Sequence, residues 1–325
     1  MPPAARLRPD IPAFAGMTGF FDLTDITAPD LDRVTAFTIP DRHARGRVAR
    51  LGPALGEILD AHAYPPAIEQ LLAESLTLTA LLGATLKDNK GQLTLQAQTT
   101  GGIVSLMVCD YQDGALRGYL QYDVDRLSEA PAEPSLYALF GTGHLAITFD
   151  LGTSGERYQG VVALDGATIA EAAENYFAQS EQIPTLIRLG THRDADGALI
   201  AGGLFLQHMP EGEEGRERLH TREHHPEWEH VEALGATMGA DELADPALTL
   251  ETIVWRLFNE EREVRVQDGI ALSKGCRCDV DYIRQVLAKF PVEERREMAE
   301  ADGMIHVDCA FCAKKFPVPV ESADA

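Results

Sequence analysis

The spacing of apolar residues predicts helices in the first two thirds of the chain. After Pro65-Pro66, apolar positions occur almost all around one predicted helix, which indicates deep burial; they are Ile68, Leu71, Leu72, Leu76, Leu78, Leu81 and Leu82. Thr168, followed three residues later by Glu171, is a capping-box signal for a helix start. This signal opens a second predicted helix, whose apolar face consists of Ile169, Ala172, Ala173 and Tyr176.

Alternation with a period of two predicts several strands around these helices. Leu93, Leu95 and Ala97 alternate with polar residues, and the apolar run 103–109 is typical of a buried strand that ends at the Asp113-Gly114 turn. The same signals continue at 119–122, at 144–149 and at a hairpin that turns at Asp196-Gly197. Because strands and helices are not regularly interleaved, the sequence favours an α+β fold over a doubly wound sheet.

Changes in composition divide the chain into four parts. Residues 1–19, rich in Pro and Ala, are expected to be a disordered extension, or sequence upstream of a true start at Met17. Residues 20–209 are expected to form an N-terminal α+β domain of sheets and packed helices. Residues 210–268 are predicted to be a helical, acidic linker, and residues 269–325 a small C-terminal zinc-binding domain.

The predicted linker begins with an acidic, histidine-rich stretch, 210–232, that has few apolar residues. Its four histidines suggest a metal site, but the unpatterned acidic setting favours a solvated stretch or a loosely packed helix; they are His220, His224, His225 and His230. Further on, Asp245-Pro246 starts a predicted amphipathic helix. Its apolar face requires a covering surface, since exposing that face would make the protein adhesive; the face consists of Leu250, Ile253, Val254, Leu257 and Phe258.

Composition and charge restrict the possible classes of function. The chain has 325 residues, of which 45% are hydrophobic and 24% charged, as in soluble globular proteins. A formal net charge of −23 repels a phosphate backbone and argues against nucleic-acid binding. There is no apolar run of membrane-spanning length and no export signal, so we expect a cytoplasmic protein with reduced thiols. The sequence also lacks a P-loop and a Gly-x-Ser-x-Gly motif, which argues against the usual ATPase and hydrolase designs.

Four of the five cysteines form two close pairs near the C-terminus. Cys276 and Cys278 are separated by one residue, and Cys309 and Cys312, which follow after a gap of 30 residues, are separated by two. Two such pairs supply four thiolates to one tetrahedral Zn²⁺, and we expect a single ion bound by all four. The tighter first pair also brings two sulfurs near enough for an internal disulfide. The fifth cysteine, Cys109, lies in the predicted buried strand and is expected to be structural.

The segment that carries the four cysteines is too short to bury a large core, so a metal is expected to stabilise it. Asp279 caps a predicted helix that Pro291 ends, a second helix stops before Gly303, and residues 304–307 form a strand that leads into the second pair. Zinc binding in zinc-finger peptides is worth about 10–16 kcal/mol and appears as folding energy. Without zinc, this segment is expected to unfold. His306 is an alternative ligand, but we expect it to be a strand histidine that faces solvent.

Three functions are compatible with the four cysteines. The first is a redox-switched binding protein, which is not an enzyme. The second is a thiol–disulfide oxidoreductase that uses Cys309 and Cys312, although this pair lacks the helix start and the βαβ context of such enzymes. The third is a nucleic-acid-binding zinc module with Lys314 and Lys315, which the acidic charge of the chain disfavours.

Further motifs occur along most of the chain, from about Phe20 to Pro317. The most recognisable is 176–185, which reads Tyr-Phe-Ala-Gln-Ser-Glu-Gln-Ile-Pro-Thr. The others are 93–96, Leu116-Arg117-Gly118-Tyr119, Ala201-Gly202-Gly203-Leu204, Trp255-Arg256-Leu257-Phe258, Glu263-Val264-Arg265-Val266 and the cysteine quartet. Together they resemble the 33 kDa heat-shock chaperonin family, the redox-regulated holdases of bacteria. The N-terminal extension and the long stretch 210–232 depart from the family's pattern.

The resemblance implies a reduced, inactive chaperone that holds one zinc ion through Cys276, Cys278, Cys309 and Cys312. It implies that oxidation pairs Cys276 with Cys278 and Cys309 with Cys312, releases zinc, and unfolds the C-terminal domain and the linker. The N-terminal domain then binds unfolding or oxidatively damaged client proteins without ATP. The resemblance further implies a homodimer in the oxidised state and no membrane or nucleic-acid partner.

Overall fold

The computed structural model describes residues 31–86, 91–152, 155–209 and 225–321. These residues form two six-stranded sheets, helices that pack on them, and a two-stranded sheet near the C-terminus. The α+β class predicted from the sequence is therefore confirmed. The extension predicted at 1–19 and residues 210–224 of the acidic stretch, including His220 and His224, lie outside the described residues.

Helices and strands alternate irregularly along the chain. The helices are α1 (Pro53–Leu59), α2 (Pro66–Gly83), α3 (Val124–Ser128), α4 (Leu136–Phe140), α5 (Ile169–Tyr176), α6 (Pro226–Ala236), α7 (Ala240–Ala244), α8 (Leu250–Phe258), α9 (Val280–Leu287) and α10 (Val292–Met298). The strands are β1 (Arg33–Ile39), β2 (Ala44–Leu51), β3 (Gln92–Gly101), β4 (Val104–Gln112), β5 (Ala115–Tyr122), β6 (Gly141–Asp150), β7 (Arg157–Ala163), β8 (Thr185–Arg193), β9 (Leu199–His208), β10 (Arg265–Val266), β11 (Ile270–Ala271), β12 (Ser273–Lys274), β13 (Met304–Asp308) and β14 (Lys315–Pro319).

Two sheets make up most of the molecule. The first sheet has the strand order β10-β1-β2-β9-β8, with β11 also paired to β1, and the second has the order β12-β5-β4-β3-β6-β7. Neighbouring strands run antiparallel except for β12, which runs parallel to β5. We call β1 to β9 with α1 to α5 the N-terminal body. The chain that follows it is joined to both sheets by strand pairing, through β10 and β11 on one and β12 on the other.

Helix α2 lies in the core between the two sheets, where it contacts β2, β8 and β9 on one side and β3, β4 and β5 on the other. All the apolar residues that predicted this helix are buried, which confirms the prediction of deep burial. The buried hydroxyls of Ser75, Thr77 and Thr79 each donate to the carbonyl four residues earlier, at 2.7–2.8 Å, so the helix satisfies its own buried polar groups. Among the described residues, no helix, α2 included, has both the length and the apolar character that a membrane crossing requires.

Caps and turns occur where the sequence predicts them. The Thr168 hydroxyl accepts from the Glu171 N–H at 3.2 Å and starts α5. The Glu171 carboxylate accepts from the N–H of Ala167 at 2.7 Å, one residue before the position that a capping box predicts. Asp113 and Gly114 both have positive φ, 52° and 85°, and turn the chain from β4 into β5.

Helices α6, α7 and α8 pack on the outer face of the first sheet, and we call them the covering layer. Trp228 and Val231 of α6 are 4% and 0% exposed and lie in one apolar cluster with residues of the sheet; the sheet contributes Phe37, Ile39, Ala44, Val48, Leu186, Leu204 and Leu206. Residues 226–232 are helical, as one of the two predicted alternatives has it, but Trp228 and Val231 anchor this helix on the sheet, which the sequence pattern did not indicate. The apolar face of α8 is buried as predicted, but the helix starts at Leu250 with Thr249 as its cap, not at Asp245-Pro246.

The covering layer approaches the first sheet so closely that backbone meets backbone. A Cβ atom on Gly202 would overlap the Leu243 carbonyl of α7, and one on Gly190 would overlap the Ala240 carbonyl. Buried Arg50 of β2 donates to the carbonyl oxygens of Leu243, at 3.0 Å, and of Leu248. Glycine at two positions and one arginine thus fix α7 against the sheet.

Residues 276–321 form a small structure that we call the C-terminal unit. Its helices and its first strand occur where predicted, and the Asp279 carboxylate caps α9 by accepting from the Asp281 N–H at 2.8 Å. Strand β14, which the sequence pattern did not indicate, pairs with β13. The apolar cluster of the unit contains three buried residues, Leu287, Ile305 and Val318. A core of this size contributes little folding energy by itself.

Candidate metal centre

The four cysteines of the C-terminal unit converge on one point. Cys276 and Cys278 follow β12, and Cys309 and Cys312 lie in the turn between β13 and β14. Cys276 Sγ is 2.7 Å from Cys278 Sγ and 3.5 Å from Cys309 Sγ, and Cys278 Sγ is 3.3 Å from both Cys309 Sγ and Cys312 Sγ. All four sulfurs lie within 4.8 Å of one another. The structure therefore brings together the four residues that the spacing singles out.

The second pair lies on a tight turn that its own backbone hydrogen bonds define. Ala313 N–H donates to the Cys309 carbonyl at 2.8 Å, and Cys309 N–H donates to the Lys314 carbonyl at 3.0 Å. Ala313 has a left-handed φ of 53°, which reverses the chain into β14. Both sulfurs of the pair consequently face the loop that carries Cys276 and Cys278.

Burial and hydrogen bonds shift the pKa values of three of the four thiols in different directions. Burial raises the pKa of Cys276, and burial together with contacts to the neighbouring thiols raises the pKa of Cys278. Burial opposes ionisation of Cys309 too, but the hydrogen bond from Cys278 and the backbone N–H groups of Cys312 and Phe311 lower its pKa to about 7. These shifts favour one thiolate and oppose the ionisation of two of its neighbours, so holding all four sulfurs as thiolates requires a cation.

The cluster fits a tetrahedral divalent metal. Four thiolates at about 2.3 Å from Zn²⁺ are separated from one another by roughly 3.8 Å. Four of the observed separations are 2.7–3.5 Å, and all of them are within 4.8 Å. Thiolate ligands select soft or borderline metals, and four of them favour Zn²⁺ or an iron–sulfur centre. Bound here, the metal would keep all four sulfurs deprotonated and would connect the two ends of the C-terminal unit.

The first cysteine pair is held on the second sheet by the residue between its cysteines. Arg277 Nη2 donates to Asp110 Oδ2 at 2.9 Å, and Arg277 Nη1 donates to the side-chain oxygens of Gln92, at 2.9 Å, and Gln112. Asp110 lies on β4 and is 3% exposed, and its second cationic partner, Arg117, is 2.6 Å away. A buried carboxylate of the N-terminal body therefore contacts the loop that carries Cys276 and Cys278.

The second cysteine pair contacts the same region of the sheet through Phe311. The guanidinium carbon of Arg117 lies 3.9 Å from the centroid of the Phe311 ring, a cation–π geometry. Tyr119 meets that ring edge-on with centroids 4.9 Å apart, and His62 Nε2 lies 3.1 Å from the Phe311 carbonyl oxygen. His62 from the loop between α1 and α2, together with Arg117 and Tyr119 of β5, thus holds the turn of the second pair in place.

The chain reaches the metal centre through β12. Ser273 N–H donates to the Gly114 carbonyl at 3.0 Å, and Gly275 N–H donates to the Leu116 carbonyl at 2.8 Å. Lys274 Nζ donates to the Glu57 carbonyl of α1 at 2.7 Å. This short edge strand places Cys276 directly beside the second sheet.

The remaining candidates lie outside the cluster. His306 faces solvent as predicted, with Nε2 2.9 Å from Asp302 Oδ2, and it is not among the clustered ligands. Cys109 is fully buried in β4, and burial raises the pKa of its thiol, which confirms a structural residue. His225 and His230 pair with Glu227 and Glu261, each at 2.7 Å.

Sequence reasoning did not identify the contacts that seat the cluster on the N-terminal body. Asp110 and Arg117 are remote from the cysteines in sequence, and Arg277 and Phe311 occupy the spacer positions of the motifs, which the cysteine spacing leaves unspecified. The one available signal was the charge of Asp110 at the end of an otherwise apolar strand, since buried carboxylates usually have cationic partners. Cys309 and Cys312 also lie in a turn between strands rather than at a helix start, which is not the setting of thiol–disulfide oxidoreductases.

Comparisons with known proteins agree with these features. The family model described as Hsp33 protein matches residues 32–318. A 33 kDa chaperonin from Caulobacter vibrioides is 44% identical over 303 residues, covering 90% of this chain and 97% of that protein. One from Shewanella loihica is 36% identical over 285 residues, covering 88% and 92%. The crystal structure of the 33 kDa chaperonin from Thermotoga maritima matches with a TM-score of 0.73 at 22% identity, covering 90% of this chain and 97% of that one.

Proposed function

Because this chain belongs to the Hsp33 family, a family of chaperones, we propose that it is a redox-regulated holdase that works in the cytoplasm without ATP. In the reduced state the four cysteines of the C-terminal unit hold one Zn²⁺ and the protein is inactive. In the oxidised state it binds unfolding client proteins and forms a homodimer. The observation that carries this proposal is the convergence of four sulfurs on a unit with a three-residue apolar core.

The switching step is the oxidation of two thiolate pairs, Cys276 with Cys278 and Cys309 with Cys312. Each disulfide forms when two thiolates lose two electrons. One molecule of hydrogen peroxide takes up those electrons together with two protons and leaves as two water molecules, so the complete switch consumes two peroxides. Thiolates are the reactive species in this chemistry, and a cluster that keeps its sulfurs deprotonated is poised for it.

Oxidation of these sulfurs has a large structural effect because little else stabilises the C-terminal unit. Four oxidised sulfurs no longer act as thiolate ligands, and a core of Leu287, Ile305 and Val318 does not replace the lost stabilisation. The chain between α8 and Cys276 is joined to the sheets by strands β10, β11 and β12, each only two residues long. Unfolding of the unit therefore leaves short, weakly held strands as the next elements to separate.

The surface that becomes available is the outer face of the first sheet. The covering layer buries an apolar set on this face that includes Phe37, Val48, Leu204 and Leu206. When the covering layer separates, these residues form a contiguous apolar surface with the chemistry that unfolding clients present. A net charge of −23 keeps the exposed protein soluble while it holds a client.

The experiment is a paired assay on the full-length, zinc-loaded protein before and after hydrogen peroxide. Zinc release is measured with a chromogenic chelator, disulfides by mass spectrometry after alkylation, and holdase activity as suppression of light scattering by a thermally unfolding client. We expect one zinc and four reduced thiols to become no bound zinc and two disulfides, with a gain in suppression. Cys109→Ser is the matched control, because it removes a cysteine outside the cluster and should leave the response unchanged.

Two results would contradict the proposal. One is oxidised, zinc-free protein that suppresses client aggregation no better than the reduced protein. The other is catalytic turnover of a model disulfide by the zinc-free protein, which would assign Cys309 and Cys312 to oxidoreductase chemistry instead.

A further inference from the structure

We propose that Asp110 is a positioning residue of the redox switch: its carboxylate connects both cysteine pairs to the second sheet and thereby sets how readily their sulfurs are oxidised. The inference rests on the proposed function in assuming that these four sulfurs are the redox centre. It adds that the threshold of the switch is encoded outside the C-terminal unit, in the N-terminal body.

The first step of the argument is the position of Asp110 between two arginines. Its Oδ2 accepts from Arg117, at 2.6 and 2.8 Å, and from Arg277, at 2.9 Å, and its Oδ1 accepts from the Thr94 hydroxyl at 2.7 Å. The residue is 3% exposed. A carboxylate that is this buried requires a cationic partner. Asp110 has two, and Arg117 still pairs with it when Arg277 is removed.

The second step is that each arginine touches a different cysteine pair. Arg277 is the residue between Cys276 and Cys278, and Arg117 stacks on the ring of Phe311. A continuous chain of contacts therefore runs from one pair through Asp110 to the other. Among the described residues, Asp110 is the acidic group that pairs with both Arg117 and Arg277.

The third step is that oxidation and this arrangement compete. A bond between the Cys276 and Cys278 sulfurs closes a small ring whose backbone includes Arg277, so the backbone at Arg277 has to adjust. We expect this adjustment to cost its guanidinium at least one of its three acceptors, Asp110, Gln92 and Gln112. Phe311 has the same position in the second pair and would leave the face of Arg117.

Linkage makes this competition reciprocal. If oxidation weakens the contacts of Asp110, those contacts must oppose oxidation by the same free energy. Couplings of this kind typically change an equilibrium by about 5- to 150-fold. Removing the Asp110 charge should therefore make the reduced protein easier to oxidise, without any change in the cysteines. We infer that these contacts are already loosened in the transition state of disulfide formation, so that the rate of oxidation rises along with the equilibrium.

The test measures thiol oxidation and zinc release in reduced, zinc-loaded, full-length protein at a fixed peroxide concentration. Asp110→Asn and Arg277→Gln should each lose zinc and form disulfides about tenfold faster than the wild type. Arg277→Lys, which keeps one charge but not the fork of donors, should give an intermediate rate. The double variant should be no faster than the quicker single variant, because both changes break one interaction.

The matched control is Arg284→Gln. Arg284 belongs to the same C-terminal unit and pairs with Asp281 at 2.8 Å, but that pair is solvent-exposed and does not involve the N-terminal body. It should oxidise at the wild-type rate. If the role of Arg277 were merely structural, Arg277→Gln would lower the thermal stability, but its oxidation rate would equal that of Arg284→Gln.

Wild-type oxidation and zinc-release rates in both Asp110→Asn and Arg277→Gln would overturn the inference. If Asp110→Asn disrupts the second sheet, as amide hydrogen exchange would reveal, Arg277→Gln decides alone, since it leaves the N-terminal body intact. These readouts do not involve a client. A protein that oxidises as described but does not bind a client would contradict the proposed function and leave this inference unaffected.

Discussion

The N-terminal body and the C-terminal unit achieve order in different ways. The body encloses α2 between two sheets, and its apolar cluster extends through residues from Val34 to Phe205, with Leu272 of the following chain packed into it. The C-terminal unit buries a cluster of three residues and brings four sulfurs together instead. The first region is stabilised by the area it buries, and the second depends on groups whose chemistry an oxidant can change.

Under the proposed function, this difference explains how one chain can be both stable and switchable. Hydrophobic burial does not respond to redox conditions, whereas thiolate ligands are lost on oxidation. The covering layer belongs to neither extreme, because it is well packed on the first sheet yet is followed by strands of only two residues. Under the proposed function, it is the element whose position follows the state of the C-terminal unit.

Metal removal should produce the largest difference in stability between the two regions. Chelation, or Cys309→Ser, should unfold the C-terminal unit, because a structural zinc site contributes on the order of 10–16 kcal/mol. Amide hydrogen exchange should show lost protection at β13 and β14 and unchanged protection in α2, β3 and β6. Retained protection at β13 and β14 after complete zinc removal would contradict the comparison.

Trp228→Ala should loosen the covering layer without touching the sulfurs. Truncating a buried tryptophan costs about 3–5 kcal/mol, and here the loss falls on a layer that only one sheet face supports. We expect reduced, zinc-loaded protein to bind a hydrophobic dye and to suppress client aggregation partly without oxidant. Glu227→Ala in the same helix is the control, and equal dye binding by both variants would show that the layer does not cover the adhesive face.

The same kind of truncation should have different consequences in the two regions. Leu72→Ala in α2 should lower the free energy of unfolding of the N-terminal body by about 2–5 kcal/mol and leave zinc retention unchanged. Ile305→Ala removes one of the three buried residues of the apolar cluster in the C-terminal unit, so its cost should appear as faster zinc loss to a chelator. Chemical denaturation and zinc-release kinetics on both variants check the prediction, and faster zinc loss from Leu72→Ala would refute it.

The smallest expected effect is the pH dependence of the C-terminal unit through His306. The hydrogen bond to Asp302 raises the pKa of His306 above its ordinary value of 6.5. A group with a raised pKa in the folded state stabilises that state below the unfolded pKa, and the contribution is lost as pH rises through the folded pKa. NMR titration should place His306 above 6.5 in the wild type and return it towards 6.5 in Asp302→Asn. A His306 pKa that is the same in both proteins would contradict this assignment.

Local patterns predicted the elements whose surroundings match their sequence. Helix α2 is apolar nearly all round and is enclosed on both sides, so its burial followed from its residues alone. The alternation of apolar and polar residues did not predict strand β1. Both of its faces are covered, and buried Thr35 interrupts its apolar run. The sequence pattern predicts too early a start for α8, because Asp245-Pro246 is a good helix-start signal. The cap is instead the Thr249 hydroxyl, 3.1 Å from the Thr252 N–H.

The candidate site shows the same division. Cysteine spacing predicted that four sulfurs would meet, since only a few residues separate the members of each pair. The contact between Asp110 and Arg277 joins residues 167 positions apart, and no local pattern encodes such a pair. The packing of α6 was likewise invisible, because the partners of Trp228 come from strands far earlier in the chain.

The bare backbone contact between α7 and the first sheet also has a genetic consequence. A single-base change turns any glycine codon into one for alanine. At Gly190 or Gly202 the new methyl group would overlap the backbone of α7 and displace this helix from the sheet. Under the proposed function, one such point mutation would give a permanently active protein while leaving every cysteine in place.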